Sequence, residues 1–213
     1  MRATRHWLPA ALVLGVSLLG SGCLLIPEIK EKIVELAVSG STSAEFLADG
    51  LETDGVNEVD VVSIGDGTEL DLRRILADAG VDVSDVVNVK VEKVEYAITR
   101  ADPYAGRTVQ GNLTVQRLGG TEQPLITGFV TNVDAVTGYQ AASLQAAGVD
   151  ELNQALASVL AQLQAGGTPT ESATFRVTGT TTPGVDPLRS TNFQYSVKLT
   201  VSMVGTIRVD VPE

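Results

Sequence analysis

The 213-residue sequence predicts a mainly β fold: an antiparallel β-sandwich or strongly bent sheet with one main helix and one short helix. Three observations predict it. Much of the chain alternates apolar and polar side chains with a period of two, as half-buried strands do. The strands lack the continuous apolar runs of a parallel sheet covered on both faces. Two stretches show the 3.6-residue apolar period together with helix start and stop signals. A single domain of this length buries roughly 70% of its unfolded surface, so it needs no disulfide or metal staple.

The elements follow in order. In the segment from Glu28 to Val38, Ile29, Ile33, Leu36 and Ala37 fit a helical stripe, whereas Val34, Leu36 and Val38 alternate. A helical turn entering a strand that ends near Gly40 is expected. From Ser41 to Gly67 the chain is rich in Ser, Thr, Gly and Asp, with one strand over Val59 to Ile64. Thr68-Glu69-Leu70-Asp71 then matches a capping-box start with Asp in place of Glu, Leu72, Ile75, Leu76 and Ala79 form an apolar stripe, and Gly80 supplies the stop. Val87, Val89 and Val91 alternate, the phase slips at Glu92-Lys93, and Val94, Tyr96 and Ile98 resume it, which predicts a bulge. After the turn-rich Ala101 to Gly106, the alternation of Val109, Gly111, Leu113 and Val115 predicts a second strand, paired with the first as a hairpin.

A strand is expected over Pro124 to Asn132. The main helix follows Asp150, where Leu152, Ala155, Leu156, Val159, Leu160 and Leu163 recur at helical spacing and Gly166-Gly167 ends the run. Its other face, Glu151, Asn153, Gln154, Ser158, Gln162 and Gln164, is nearly uncharged. Ser172 to Thr180 and Asn192 to Val211 are expected strands, with a turn at Thr181 to Gly184 and a break at Gly205.

The first residues carry a different message. Arg2 and Arg5 precede the apolar run Leu8 to Leu19, and small residues follow, the order of a secretory signal. That run is too short to span a bilayer. Leu18-Leu19-Gly20-Ser21-Gly22-Cys23 resembles the lipobox of bacterial lipoprotein precursors, with the chain's single Cys at the position that becomes the mature N-terminus. Gly20 stands where Leu is commonest in that pattern. The resemblance covers residues 1–23 and implies cleavage after Gly22, with a diacylglyceryl thioether and an N-acyl group on Cys23. It divides the chain into a signal peptide (1–22), a lipidated N-terminus and short tether (23–27) and one β-rich domain (28–213). Leu24, where Asp would resemble an inner-membrane retention signal, tilts the expectation towards the outer membrane, with the domain facing the periplasm or the surface. Two or more acyl chains hold a protein at a membrane far more firmly than one.

Charge and composition narrow the function classes. The formal net charge is −11, and removing residues 1–22 leaves 13 basic side chains against 26 acidic ones. Such a chain is not expected to bind nucleic acid, whose phosphates require Lys and Arg, or to be drawn electrostatically to anionic lipid. A solvated surface is the expected use of the acidity. His6 is the only His and lies in the signal, so Ser-His-Asp and Cys-His nucleophile systems and the usual zinc ligand sets are missing from the mature sequence. Gly65-Asp66-Gly67 lacks the Lys of a P-loop and the further glycine of a dinucleotide fingerprint. Asp54, Asn57, Glu58, Asp60 and Asp66 are the nearest approach to a calcium loop, because calcium takes six to eight oxygens from flexible loops. Their spacing is not that of an EF-hand, and a solvated acidic loop is the plainer expectation. No catalytic residue and no cofactor beyond the covalent lipid are assigned. The expectation is a membrane-anchored, non-enzymatic binding or structural module with an envelope protein as partner. The alternative is a carrier of a lipid or other apolar ligand between the sheet and the main helix.

Overall fold

In the computed structural model, residues 31–68, 70–182 and 189–208 are described. Eight strands form two antiparallel four-stranded sheets that face one another. The first sheet contains β1 (Glu31–Leu51), β3 (Val86–Arg100), β6 (Gln140–Ala141) and β8 (Ser190–Arg208), in the order β1-β8-β3-β6. The second contains β2 (Val56–Ile64), β4 (Thr108–Arg117), β5 (Gln123–Asn132) and β7 (Glu171–Thr182), in the order β2-β7-β4-β5. Two helices, α1 (Leu72–Asp78) and α2 (Ala146–Gln164), complete the β-sandwich.

The period of two decides what is inside. On β8, Phe193, Tyr195, Val197, Leu199, Val201 and Met203 point inward, and on β7 Ala173, Phe175 and Val177 meet them from the other sheet. Phe46, Phe175 and Phe193 are fully buried, each contributing about 1.5–3 kcal/mol of transfer free energy. The chain is poor in aromatics, but it places these three at the centre.

Several expectations hold. The bulge at Glu92-Lys93 is present as a register shift between Val91 and Lys93 against β8. The strand expected at Pro124 to Asn132 is β5, and Gly80 ends the first helical segment with φ +70° and its N–H on the Ala77 carbonyl.

Other expectations are corrected. β1 runs unbroken through Gly40 to Leu51, so there is no helical turn over residues 31–38, while residues 28–30 lie outside the described residues. Its inward residues Thr42, Ala44 and Ala48 are small, which hid the alternation. At Gly40 a Cβ would run into the Ile75 side chain of α1, so glycine here permits helix packing instead of ending a strand. The N-cap of α1 is Asp71, which accepts the Arg74 N–H at 3.0 Å. Thr68 instead closes the preceding turn through the Gly65 carbonyl and N–H.

β3 and β4 do not form a hairpin. β3 pairs with β8 and β6, β4 with β7 and β5, because residues 101–107 carry the chain from one sheet to the other. α2 begins at Ala146, before Asp150, because Gly148 lies in the helix and packs on Leu125 where a Cβ would sit 2.6 Å from backbone. β8 continues through Gly205, and the irregularity appears as register shifts in its neighbours, between Val34 and Ala37 and between Val86 and Asn88. Of the turn expected at Thr181 to Gly184, residues 183 and 184 lie outside the described residues, as do 209–211 of the last strand.

α2 and the loop 101–107 occupy opposite ends of the sandwich. α2 reaches Val91 and the start of β3 through Asn153 and Gln164, and the start of β5 through the Gln145 N–H on the Leu125 carbonyl. At the other end, loop 101–107 meets the start of β8 and the end of β5.

Candidate functional site

Cys23 and the rest of the lipobox lie outside the described residues. The calcium candidates lie within them, and the fold does not gather them into a ligand set. Asp54 accepts the Leu51 N–H at 3.0 Å, and Asn57 accepts from Arg176 at 3.2 Å. Asp60 accepts the Glu45 N–H of β1 at 2.8 Å, and Asp66 pairs with Arg73 at 3.3 Å. Glu58 shares the inward face of β2 with Val56 and Val62, where burial and the charge of Asp49 raise its pKa. Among the described residues no three His, Cys, Asp or Glu side chains come together as a metal group.

The uncharged face of α2 contacts the domain itself. Asn153 accepts the Val91 N–H at 2.9 Å, where the β3 bulge leaves it free, and Gln164 donates to the carbonyls of Val83 and Val86. Gln162 accepts the Thr170 N–H at 3.1 Å. Glu151 is buried and accepts the Arg117 N–H at 3.2 Å, with the Arg117 guanidinium 3.7 Å away. The apolar face is packed closed: Leu152, Ala155, Leu156 and Val159 are at most 1% exposed. No α2 residue lines the slot between the sheets.

The end of the sandwich opposite α2 holds a buried ionic cluster that the sequence did not announce. Arg107, at the entry to β4, is ion-paired with Glu52 just beyond β1 and with Asp102 just beyond β3, the latter at 3.4 Å. Asp102 also accepts the N–H groups of Tyr104 at 2.9 Å and Asn192 at 3.0 Å. The Arg107 carbonyl takes the Val133 N–H at 2.9 Å. The Tyr104 ring lies between two guanidinium groups, Arg107 at 5.2 Å and Arg189 at 5.0 Å. Burial, and then the neighbouring Arg189 charge, lower the Arg107 pKa. One guanidinium thus ties segments of both sheets together. The only sequence signal was an isolated Asp and Arg flanking a turn, and Glu52 lies 55 positions away from Arg107.

Between the two ends lies an internal slot. Its walls are Tyr96, Ile98, Tyr195 and Val197 from the first sheet and Val109, Leu113, Ile126, Phe129, Thr131 and Val177 from the second. Its cavity volume is only about 30 Å³. The lining is wholly apolar; the Tyr195 hydroxyl and Thr131 Oγ1 are buried without a hydrogen-bond partner among the described residues but do not face the slot. Tyr195 is 7% exposed and stacks on Phe46 at 5.0 Å. Its burial, and then the Glu58 charge, push the phenol pKa far above its ordinary value.

No family model matches the chain, and no curated protein matches it. A solved chain of Desmodium yellow mottle tymovirus is similar at 10% identity over 98% of this chain and 100% of that one, with a TM-score of 0.31. A likeness that weak carries no argument about function.

Proposed function

We propose that this chain is a lipid-anchored cell-envelope protein of the outer membrane whose β-sandwich acts as a non-enzymatic binding or structural module. One observation carries the reading: β1 begins at Glu31, eight residues beyond Cys23, and pairs with β8 from its first residue. Eight extended residues reach at most about 29 Å. A lipid on Cys23 would therefore hold the sandwich against its membrane, with the end that carries α2 nearer the bilayer and the Arg107 cluster pointing away. The pairing of Glu31 to Ile33 with Thr206 to Arg208 runs beyond the first β3 pair, Val86 with Gly205, so a two-stranded ribbon leads from the tether into the domain. Among the described residues no helix is long and apolar enough to cross a membrane. The lipid is what would attach the chain.

The test is metabolic labelling with an alkyne fatty acid in a bacterial host, followed by detergent phase separation and in-cell crosslinking. The wild-type chain is expected to be labelled and detergent-soluble, and Cys23→Ala to lose both properties. An unlabelled, water-soluble wild-type chain would overturn the anchor. A labelled chain that never crosslinks to another envelope component would overturn the binding module.

A further inference from the structure

We propose that the outward face of the second sheet binds a neutral glycan chain, seated in a shallow dent between β4, β5 and β7. The inference names a ligand for the binding module proposed above and rests on that reading for its role, whereas the site itself needs no lipid on Cys23.

The distribution of charge selects the class of ligand. After residue 22 the chain carries 26 acidic side chains, and such residues usually stand where a strand meets water. The second sheet reverses this. Its three acids, Glu58, Asp60 and Glu171, lie on the inward side of their strands, in register with Val177, Phe175 and Ile64. The outward positions of β2, β4 and β7 hold one ionised group, Arg176, which is already paired with Glu122 at 3.7 Å and bonded to Asn57 at 3.2 Å. Around it the face consists mainly of amides and hydroxyls, with Gln110, Asn112 and Gln116 on β4 and Thr174, Thr178 and Thr180 on β7. An anionic glycan or a phosphate would find no unpaired cation there among the described residues, so nothing would offset the loss of its water.

The dent gives that chemistry a place. It measures about 470 Å³, within the roughly 300–1,000 Å³ of small-molecule sites. Gln110, Asn112, Val130, Thr178 and Thr180 line it, with Gly111 and Gly179 between them. Here β4 and β7 approach so closely that a Cβ on Gly111 would overlap the Thr178 carbonyl and one on Gly179 the Gln110 carbonyl, so the floor is bare backbone. Asn112 Oδ1 accepts the Gly128 N–H at 2.9 Å, which fixes that side chain and leaves its NH2 group to donate. The side chains of Gln110, Thr178 and Thr180 make no hydrogen bond among the described residues.

These groups match the two kinds of surface that a sugar presents. Its hydroxyls both donate and accept, as amide and hydroxyl side chains do. The C–H face of its ring would meet Val130, which is 63% exposed, and the glycine floor. A purely apolar ligand would leave the amides without partners.

The experiment is an NMR titration of the isotope-labelled full chain, in lipid nanodiscs, with two neutral probes, chitohexaose and maltohexaose. Saturable shifts from at least one probe are expected, confined to the amides of residues 110–112, 128–130 and 178–180. Combining Gln110→Ala with Thr180→Ala, both at exposed positions, should weaken binding about tenfold or more through loss of two neutral hydrogen bonds. Dextran sulfate, an anionic glycan, should leave these amides unmoved. The proposal is overturned by an absence of saturable shifts with both neutral glycans, by shifts centred elsewhere on the domain, or by undiminished affinity in the double variant. Tighter binding of dextran sulfate or of a Gly-Ser hexapeptide at these amides would also overturn it, the latter by assigning the face to extended polypeptide. Labelling of Cys23 reports the anchor separately, so failure here leaves that reading standing.

Discussion

Replacing Arg107 by Met tests whether the ionic cluster holds the two sheets together. Arg107 and its partners Glu52 and Asp102 have side chains that are at most 3% exposed. Methionine preserves much of the apolar stem but takes the Arg107 cation away from two buried carboxylates. Removing one partner of a buried pair costs about 3–5 kcal/mol, because the remaining charge has lost its water as well as its counter-ion. Asp102 keeps two backbone N–H donors at 2.9 and 3.0 Å, which moderates its share of the cost. Loss of the guanidinium over the Tyr104 ring adds about 0.5–2 kcal/mol. A total near 4 kcal/mol is a large part of the roughly 5–15 kcal/mol that stabilises an ordinary domain. With a urea slope of about 2 kcal/mol/M, the unfolding midpoint followed by circular dichroism should fall by about 2 M. Adding Glu52→Gln to Arg107→Met should recover part of the loss, since it removes one of the two buried negative charges that Arg107 pairs with. A fall of less than about 0.5 M in the single variant would refute the reasoning, because it corresponds to only about 1 kcal/mol.

Three further predictions rest on single groups. Asp71→Ala removes the α1 N-cap and should cost about 1 kcal/mol. Burial works against the Asp71 carboxylate, but the N–H groups of Arg74 and Gly67 outweigh it and lower its pKa below 3.8. Its contribution is therefore present above pH 3.8 and lost as the pH falls through the folded value, so the gap between Asp71→Ala and wild type should close in acid unfolding curves. Glu58 behaves oppositely: its raised folded pKa means that ionisation disfavours the fold as pH climbs above the ordinary value of 4.5, so Glu58→Gln should raise the melting temperature at pH 7 and not at pH 3.5. Gly148→Ala should destabilise by about 1–3 kcal/mol although alanine is the better helix former, because its Cβ would lie 2.6 Å from the Leu125 Cα and the Pro124 carbonyl. A gain in melting temperature for Gly148→Ala would show that α2 can move away from β5 without loss.

Alternation exposed the strands where both faces are distinct, as in β3, where even the phase slip at Glu92-Lys93 corresponds to a register shift. It fails for β1, whose inward side chains are mostly small, and for glycines, whose local pattern reads as punctuation. Gly40 and Gly148 are places where two elements approach closely, and nothing in the local sequence distinguishes that use from a stop. Strand partners were the least legible. The sequence suggested that β3 pairs with its successor, but the turn between them crosses sheets because Asp102 and Arg107 bury their charges at the sandwich end. That choice depends on Glu52 and Asn192, which are distant in the chain. The internal slot was equally hidden, since each of its aliphatic residues has the pattern of ordinary core.

The acidity of the chain acquires a second role beside solvation. Asp54, Asp60 and Asp82 accept backbone N–H groups in turns and at a strand edge. Asp71 and Asp134 do so at the α1 N-cap and on loop 101–107. Asp102, Glu151 and Glu171 do so in buried positions. Apart from the Leu118 N–H, which Glu171 shares with the Ser172 carbonyl, these carboxylates take donors outside the backbone ladders, and charge-assisted bonds of this kind are about twice as strong as neutral ones. The Asp60 bond to Glu45 is the clearest, because β1 is an edge strand and a bare edge N–H invites another chain to pair. The opposite edge of that sheet is covered differently. Thr137 and Ala142 donate to the β3 carbonyls of Ile98 and Val94, and Tyr139 reaches Ser196 at 3.0 Å. On the second sheet, β5 carries Pro124, and its Leu125 carbonyl takes the Gln145 N–H at the start of α2. An excess of acid that looks like a solvated surface in the sequence is thus partly a set of backbone acceptors, which help an eight-stranded domain keep its edges to itself.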